Sequence, residues 1–233
     1  VTIDPLVLMT DVEAATATLL SAVEGLGDDA VGEPSLLPGW TAGHVLTHLA
    51  RNADALTNAL TWARTGVETP LYPSVEARAA AIEEGAGRPV AEQVADLRAA
   101  HERFADAAAA MPAEAWTFHL PPLKRSAAVV PWVRLREVEV HHVDLGRDYT
   151  PVDWPDAFAL RLLYEIAGDP PEGTPAMVLR PAGVEHATVI GSADGPVITG
   201  TAKSIAAWLT GRADGADLTV TPDGDLPQPA RWR

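Results

Sequence analysis

Residues 134–145 read RLREVEVHHVDL, and the spacing of their polar and apolar members decides which element they form. Val133, Leu135, Val138, Val140 and Leu145 place apolar side chains as a buried helix does. Glu137, His141 and Asp144 stand at i, i+4 and i+7, positions that share one helical face. They draw a polar stripe through a segment that otherwise reads as core. A carboxylate and an imidazole one turn apart can ligate the same metal ion. Far upstream, residues 43–52 read GHVLTHLARN, where His44 and His48 are again four apart. Either of them, joined to Glu137 and His141, makes a set of two imidazoles and one carboxylate. Three protein ligands of that kind leave a zinc ion one open position, as enzymes require. His142 projects about 100° away from His141 on a helix, so the two do not share an ion. Asp144 is either a fourth ligand or a group that orients an imidazole N–H.

Working outward, helical spacing dominates the first part of the chain. Leu8, Val12, Ala15, Leu19 and Val23 predict a helix over about 5–26. Thr41 is a candidate N-cap for a second helix to about Arg64. A short helix is expected over 75–84, and a third long one from Pro89, at its first turn, to about Met111. Residues 114–126 read as irregular. A fourth long helix runs from near Val129 to a stop at Gly146. Four long helices with one irregular crossover predict an antiparallel four-helix bundle, an architecture that seats metal ions between facing helices. After Tyr149 the pattern changes. TPVDWP, residues 150–155, reads as a linker, followed by a helix over 156–167. Then come the β-like runs AMVLRP, HATVIG and PVITG, a helix over 202–209 and a last strand in ADLTVT. The expected fold class is α+β, with a bundle over residues 1–149 and a small α+β domain over 150–233. Trp232 is a candidate docking anchor for the Pro-rich tail.

Composition limits the function classes. The 233 residues are 47% hydrophobic, which suits a globular core. Seventeen basic residues against 32 acidic ones give a formal charge of −15, which argues against a nucleic-acid partner. The chain contains no cysteine, so disulfides, Cys-ligated zinc and a cysteine nucleophile are excluded. Any thiol chemistry must use a thiol brought from outside. The N-terminal residues lack the pattern of a signal peptide, and no membrane span is expected, so a cytoplasmic location is the expectation.

Two segments carry a resemblance. LPGWTAGHVLTHLARNAD (37–54) and RLREVEVHHVDL resemble signatures of the mycothiol-dependent maleylpyruvate isomerase family. The first match rests on Trp40, Val45, Leu46, His48, Leu49 and Ala50, the second on Arg134, Glu137, His141, Asp144 and Leu145. The resemblance implies a DinB-like metal-binding bundle followed by a sterol-carrier-like α+β domain. It implies zinc ligation by His48, Glu137 and His141, with His44 outside the ligand set. In the second half, Trp208, Leu209, Gly211 and Arg212 match a W-L-x-G-R element, and the resemblance implies that Arg212 acts on the substrate or thiol. A helix-terminal arginine favoured by the helix dipole is the structural alternative for that residue.

The implied activity is conversion of maleylpyruvate to fumarylpyruvate, a step of gentisate degradation, with mycothiol as the thiol cosubstrate. A free thiol is mostly protonated at neutral pH, whereas a zinc-bound one is deprotonated and nucleophilic. The expected partners are therefore a small-molecule substrate and a low-molecular-weight thiol. Two alternatives stay open at this level. One is a mycothiol S-transferase using the same site. The other is a non-catalytic, zinc-stabilised binding module, which a closed fourth ligand such as Asp144 or His44 would favour.

Overall fold

A computed structural model describes residues 4–232 and divides the chain into two compact units, Val1–Arg147 and Asp148–Arg233. In the first unit, α1 (Pro5–Val23) starts at Asp4, whose carboxylate accepts from the Leu6 N–H at 2.9 Å, with Pro5 at the first helical position. α2 (Ala42–Thr65) begins at Thr41 and ends on Gly66, whose φ of 70° gives the left-handed C-terminal turn. α3 (Val75–Ala86) is capped by the Ser74 hydroxyl, which accepts from the Ala77 N–H at 3.0 Å. α4 (Val90–Ala109) follows Pro89, which sits at the N-cap, one position outside the first turn expected for it. α5 (Val130–Asp144) has Pro131 in its first turn and stops before Gly146, at φ 67°.

The long helices form a closed four-membered bundle. α1 packs against α4 and α5, and α2 packs against the same two. α3 lies on the outer side of α2. Contact between α2 and α5 follows from their composition: Val45, Leu46, Leu49, Leu56 and Leu60 of α2 are buried, as are Leu135, Val138 and Val140 of α5. α5 is buried on most sides, with Arg134, Arg136, Glu139, His142 and Asp144 inside, while Glu137 and His141 stay partly exposed. α1 is apolar and long enough to cross a membrane by composition, contrary to the expectation that no segment would be. In the fold it is a bundle member that buries Leu8, Val12, Leu19, Leu20 and Val23. Between α4 and α5, the irregular crossover contains a two-residue ribbon, β1 (His119–Leu120) paired with β2 (Arg125–Ser126).

The second unit contains α6 (Asp156–Gly168), β3 (Met177–Pro181), β4 (Thr188–Ile190), β5 (Val197–Gly200), α7 (Ala202–Leu209) and β6 (Thr219–Thr221). Its sheet runs β4-β3-β5-β6. β3 and β5 are parallel, with Leu179 opposite Ile198, and both outer pairs are antiparallel. α6 and α7 pack on each other and on the sheet, burying Leu162, Leu163, Ile205 and Trp208. The fold class is thus α+β, as the sequence patterning predicts. The presumed linker differs from expectation: Trp154 is completely buried, with its ring 5.5 Å from that of Phe158, so this segment is part of the second unit's core.

Candidate metal centre

α2 and α5 face each other with His48 on one and Glu137 and His141 on the other. His48 Nε2 lies 3.0 Å from Glu137 Oε2, and His141 Nε2 lies 3.6 Å from the same oxygen. One donor atom from each of the three falls within 4.8 Å of the other two, a cluster able to hold a metal ion. The imidazoles meet edge to face, with centroids 4.7 Å apart. Trp40, just before α2, lies 5.5 Å from the His48 ring and walls one side. Two imidazole nitrogens and a carboxylate oxygen suit a borderline cation such as zinc, so the donor set fits the metal that the resemblance implies.

The groups around the trio differ in kind. Asp144 is buried, and its Oδ2 lies 2.8 Å from His141 Nδ1, the ring nitrogen turned away from Glu137. That contact leaves His141 Nε2 for the cluster and fixes the ring's orientation. Asp144 therefore braces the imidazole. His44 is engaged elsewhere. Its Nδ1 accepts from the Thr41 backbone N–H at 3.1 Å and lies 2.8 Å from the Thr41 hydroxyl, so it completes a capping box at the start of α2. His142 is buried on another face of α5 and is not a member of the cluster.

Electrostatics separate the three residues. Burial pushes His48 below the ordinary histidine value despite its bond to Glu137, with the neighbouring His141 and Arg78 adding to the fall. Burial also opposes ionisation of Glu137, but hydrogen bonds from His141 and His48 outweigh it and hold the carboxyl well below its usual range. His141 is raised: burial lowers it, and its bonds to Asp144 and Glu137 more than compensate. The surroundings thus favour the neutral form of His48 and the ionised form of Glu137, and they make His141 hold a proton more tightly than a free imidazole does.

Three neighbours extend the site. Arg78 of α3 places Nη2 3.1 Å from His48 Nδ1. Its guanidinium lies 5.6 Å from the centre of the Tyr72 ring. Arg134, one turn before Glu137, is fully buried and donates from Nη1 to the Leu49 carbonyl at 2.8 Å and the Asn52 side chain at 2.9 Å. Burial lowers its pKa to about 10 while the charge of Glu137 opposes the fall. Arg78 and Tyr72 escape sequence reading because they sit on a short helix and a loop with no spacing relation to the ligand segments. The signal available was a lone arginine in VEARAAAIEEGA, in a chain poor in basic residues.

Arg212 lies in the second unit, just past α7. Its backbone N–H closes the helix end on the Ala207 carbonyl at 2.8 Å, and its Nη1 donates to the Thr210 carbonyl at 2.6 Å. Its guanidinium lies 5.7 Å from the centre of the Trp232 ring. The bonds to the Ala207 and Thr210 carbonyls are of the helix-end kind that the structural alternative describes.

A family model described as the mycothiol maleylpyruvate isomerase N-terminal domain matches residues 12–146, and one described as the MDMPI C-terminal domain matches 153–231. The chain belongs to the mycothiol-dependent maleylpyruvate isomerase family. The crystal structure of a mycothiol-dependent maleylpyruvate isomerase is 30% identical over 99% of this chain and 98% of that one, with a TM-score of 0.87. A histidine-to-alanine mutant of a mycothiol-dependent maleylpyruvate isomerase gives 29% identity, the same coverage and the same score. No curated protein matches. The chain shares the two-part α+β architecture of that isomerase structure, and it has a His/Glu cluster able to hold a metal ion.

Proposed function

We propose that this protein is a zinc- and mycothiol-dependent cis–trans isomerase that converts maleylpyruvate to fumarylpyruvate, with His48, Glu137 and His141 as the metal ligands. The observation that carries the reading is the convergence of three donor atoms within 4.8 Å, with Asp144 bracing His141 from behind. A zinc ion held there would supply a site at which a thiol loses its proton. His48 and Glu137 present their donors from separate helices, so the bundle core holds the geometry. Asp144 keeps His141 Nδ1 engaged and its Nε2 free for ligation.

The reaction balances without a protein nucleophile, consistent with a chain that has no cysteine. The thiolate sulfur adds to one alkene carbon, and the electron pair moves into the conjugated carbonyl as an enolate. The carbon–carbon bond, now single, rotates. Return of the electron pair expels the thiolate and restores the alkene in the trans geometry. A cation lowers the energy of the enolate, and Arg212 is our candidate for that role on the family resemblance.

The test is metal content together with turnover of maleylpyruvate with and without mycothiol. We expect about one zinc per chain and a thiol that is required but not consumed. Thiol consumed in proportion to product would establish an S-transferase instead. His141→Ala should lose both bound zinc and activity, and full zinc retention in that variant would remove His141 from the ligand set.

A further inference from the structure

Arg78 stands where a ligand's outer nitrogen should be making a different kind of bond. A guanidinium has donors only, so at 3.1 Å from Arg78 Nη2 the His48 Nδ1 must be the acceptor. The proton of the neutral ring is then on Nε2, pointing at Glu137 Oε2 3.0 Å away. A neutral imidazole that ligates through Nε2 carries its proton on Nδ1. That proton would face the Arg78 N–H groups, donor against donor. Metal ligation by His48 and the Arg78–His48 hydrogen bond therefore exclude each other.

We propose that Arg78 is a carboxylate-recognition residue of the metal site: metal loading releases its guanidinium from His48, and the freed cation pairs with a carboxylate of the substrate. The inference rests on the ligand assignment made above. Arg78 is suited to the task by position. It is half-buried on α3, supported by Tyr72, and borders the trio. Arg134 is fully buried and already donates to Leu49 and Asn52. Arg136 is buried and sits beside Glu137, with Nη2 3.7 Å from Oε1. Once ligated, Glu137 shares its charge with the ion, which leaves an incoming anion as the natural partner for Arg78. A planar fork of donors matches a carboxylate in two-point geometry, so the ligand class is a carboxylate or dicarboxylate rather than a neutral molecule.

The test uses cobalt(II) as the metal probe, maleate as the carboxylate and 2-mercaptoethanol as a neutral thiol. Wild-type protein, Arg78→Ala and Arg78→Lys are titrated with each and followed by the cobalt absorption spectrum. Loss of the competing hydrogen bond and of a nearby positive charge should make Arg78→Ala bind cobalt about threefold or more tightly. The same variant should bind maleate about tenfold or more weakly, because a charge-assisted pair is gone. The sulfur-to-cobalt band formed with 2-mercaptoethanol should be unchanged. Arg78→Lys should recover part of the maleate affinity. A merely structural arginine would lower cobalt affinity on removal, and that result overturns the proposal. Maleate affinity equal in wild type and Arg78→Ala, or a cobalt-loaded wild type indifferent to maleate, does so as well. A wild type that takes up no cobalt sinks the ligand assignment itself, an outcome distinct from the others.

Discussion

At the scale of single residues, two chemically identical imidazoles beside one carboxylate behave oppositely. His48 is held below the ordinary value by burial, with Arg78 and His141 nearby. His141 is held above it because two carboxylates flank it. The sign of the consequence can be worked out. His141 keeps its proton to a pH above 6.5, so its contribution to folding is complete below that value and is lost as pH rises through the raised one. A metal must displace the same proton. Metal affinity should therefore climb as pH rises through the raised His141 value and then level off, measurable by cobalt or zinc titration from below the ordinary histidine value upward. A flat profile would mean that His141 gives up no proton on binding. Helical spacing made Glu137, His141 and Asp144 legible as a group. It did not choose between His44 and His48, which have the same spacing. The choice follows from the helix start, where the Thr41 cap and the residue three positions on, His44, satisfy each other.

At the scale of elements, the site depends on how closely α3 approaches α2. A Cβ added at Gly43 would stand 2.0 Å from the Ala86 carbonyl oxygen, and one at Gly85 would meet the Thr47 side chain at 2.5 Å. Gly43 lets the backbones of the two helices meet, and Gly85 leaves room for the Thr47 side chain. Gln93 of α4 secures the contact by donating to the Ala86 and Arg88 carbonyls, each at 3.0 Å. α3 carries Arg78 to His48 of the candidate metal cluster, so this packing governs the site's outer wall. Gly43→Ala should destabilise the protein by about 2 kcal/mol or more, because backbone has to move to make room. Gly87→Ala, where an added Cβ meets nothing within 4 Å, should be nearly neutral. Comparative urea unfolding checks the pair, and equal stabilities would show that α3 yields freely. The sequence marks α3 as a short helix, yet its Ala-rich composition contains no sign of which neighbour it joins.

At the scale of the whole molecule, a bundle that brings three possible donors together from two helices is able to hold a metal ion, and an ion bound there should hold the bundle together. Binding to the folded state alone stabilises by about 2.7 kcal/mol when the ion is at a hundredfold excess over its dissociation constant. For a chain of this size that corresponds to a rise of roughly 5–10 °C in Tm. Thermal unfolding with zinc and with a chelator should show the difference in the wild type and lose it in His48→Ala. An unchanged Tm on chelation would argue against ligation by the folded bundle.

The sequence by itself determined the periodicities, and with them the long helices, the α+β class and the polar stripe of Glu137, His141 and Asp144. Local spacing is enough for these, because burial of apolar side chains selects the 3.6-residue repeat and places polar exceptions along one stripe. Tertiary structure decided what spacing does not encode. It set His48 beside Glu137 from 89 residues away, gave His44 to a helix cap, turned Asp144 into a brace, drew Trp154 into a core and brought Arg78 to the trio. The physical reason differs among them. The His48–Glu137 and Arg78–His48 contacts join different elements and exist only once the helices have packed, whereas His44 and Asp144 bond partners three residues away, a choice among possible partners that spacing alone does not make.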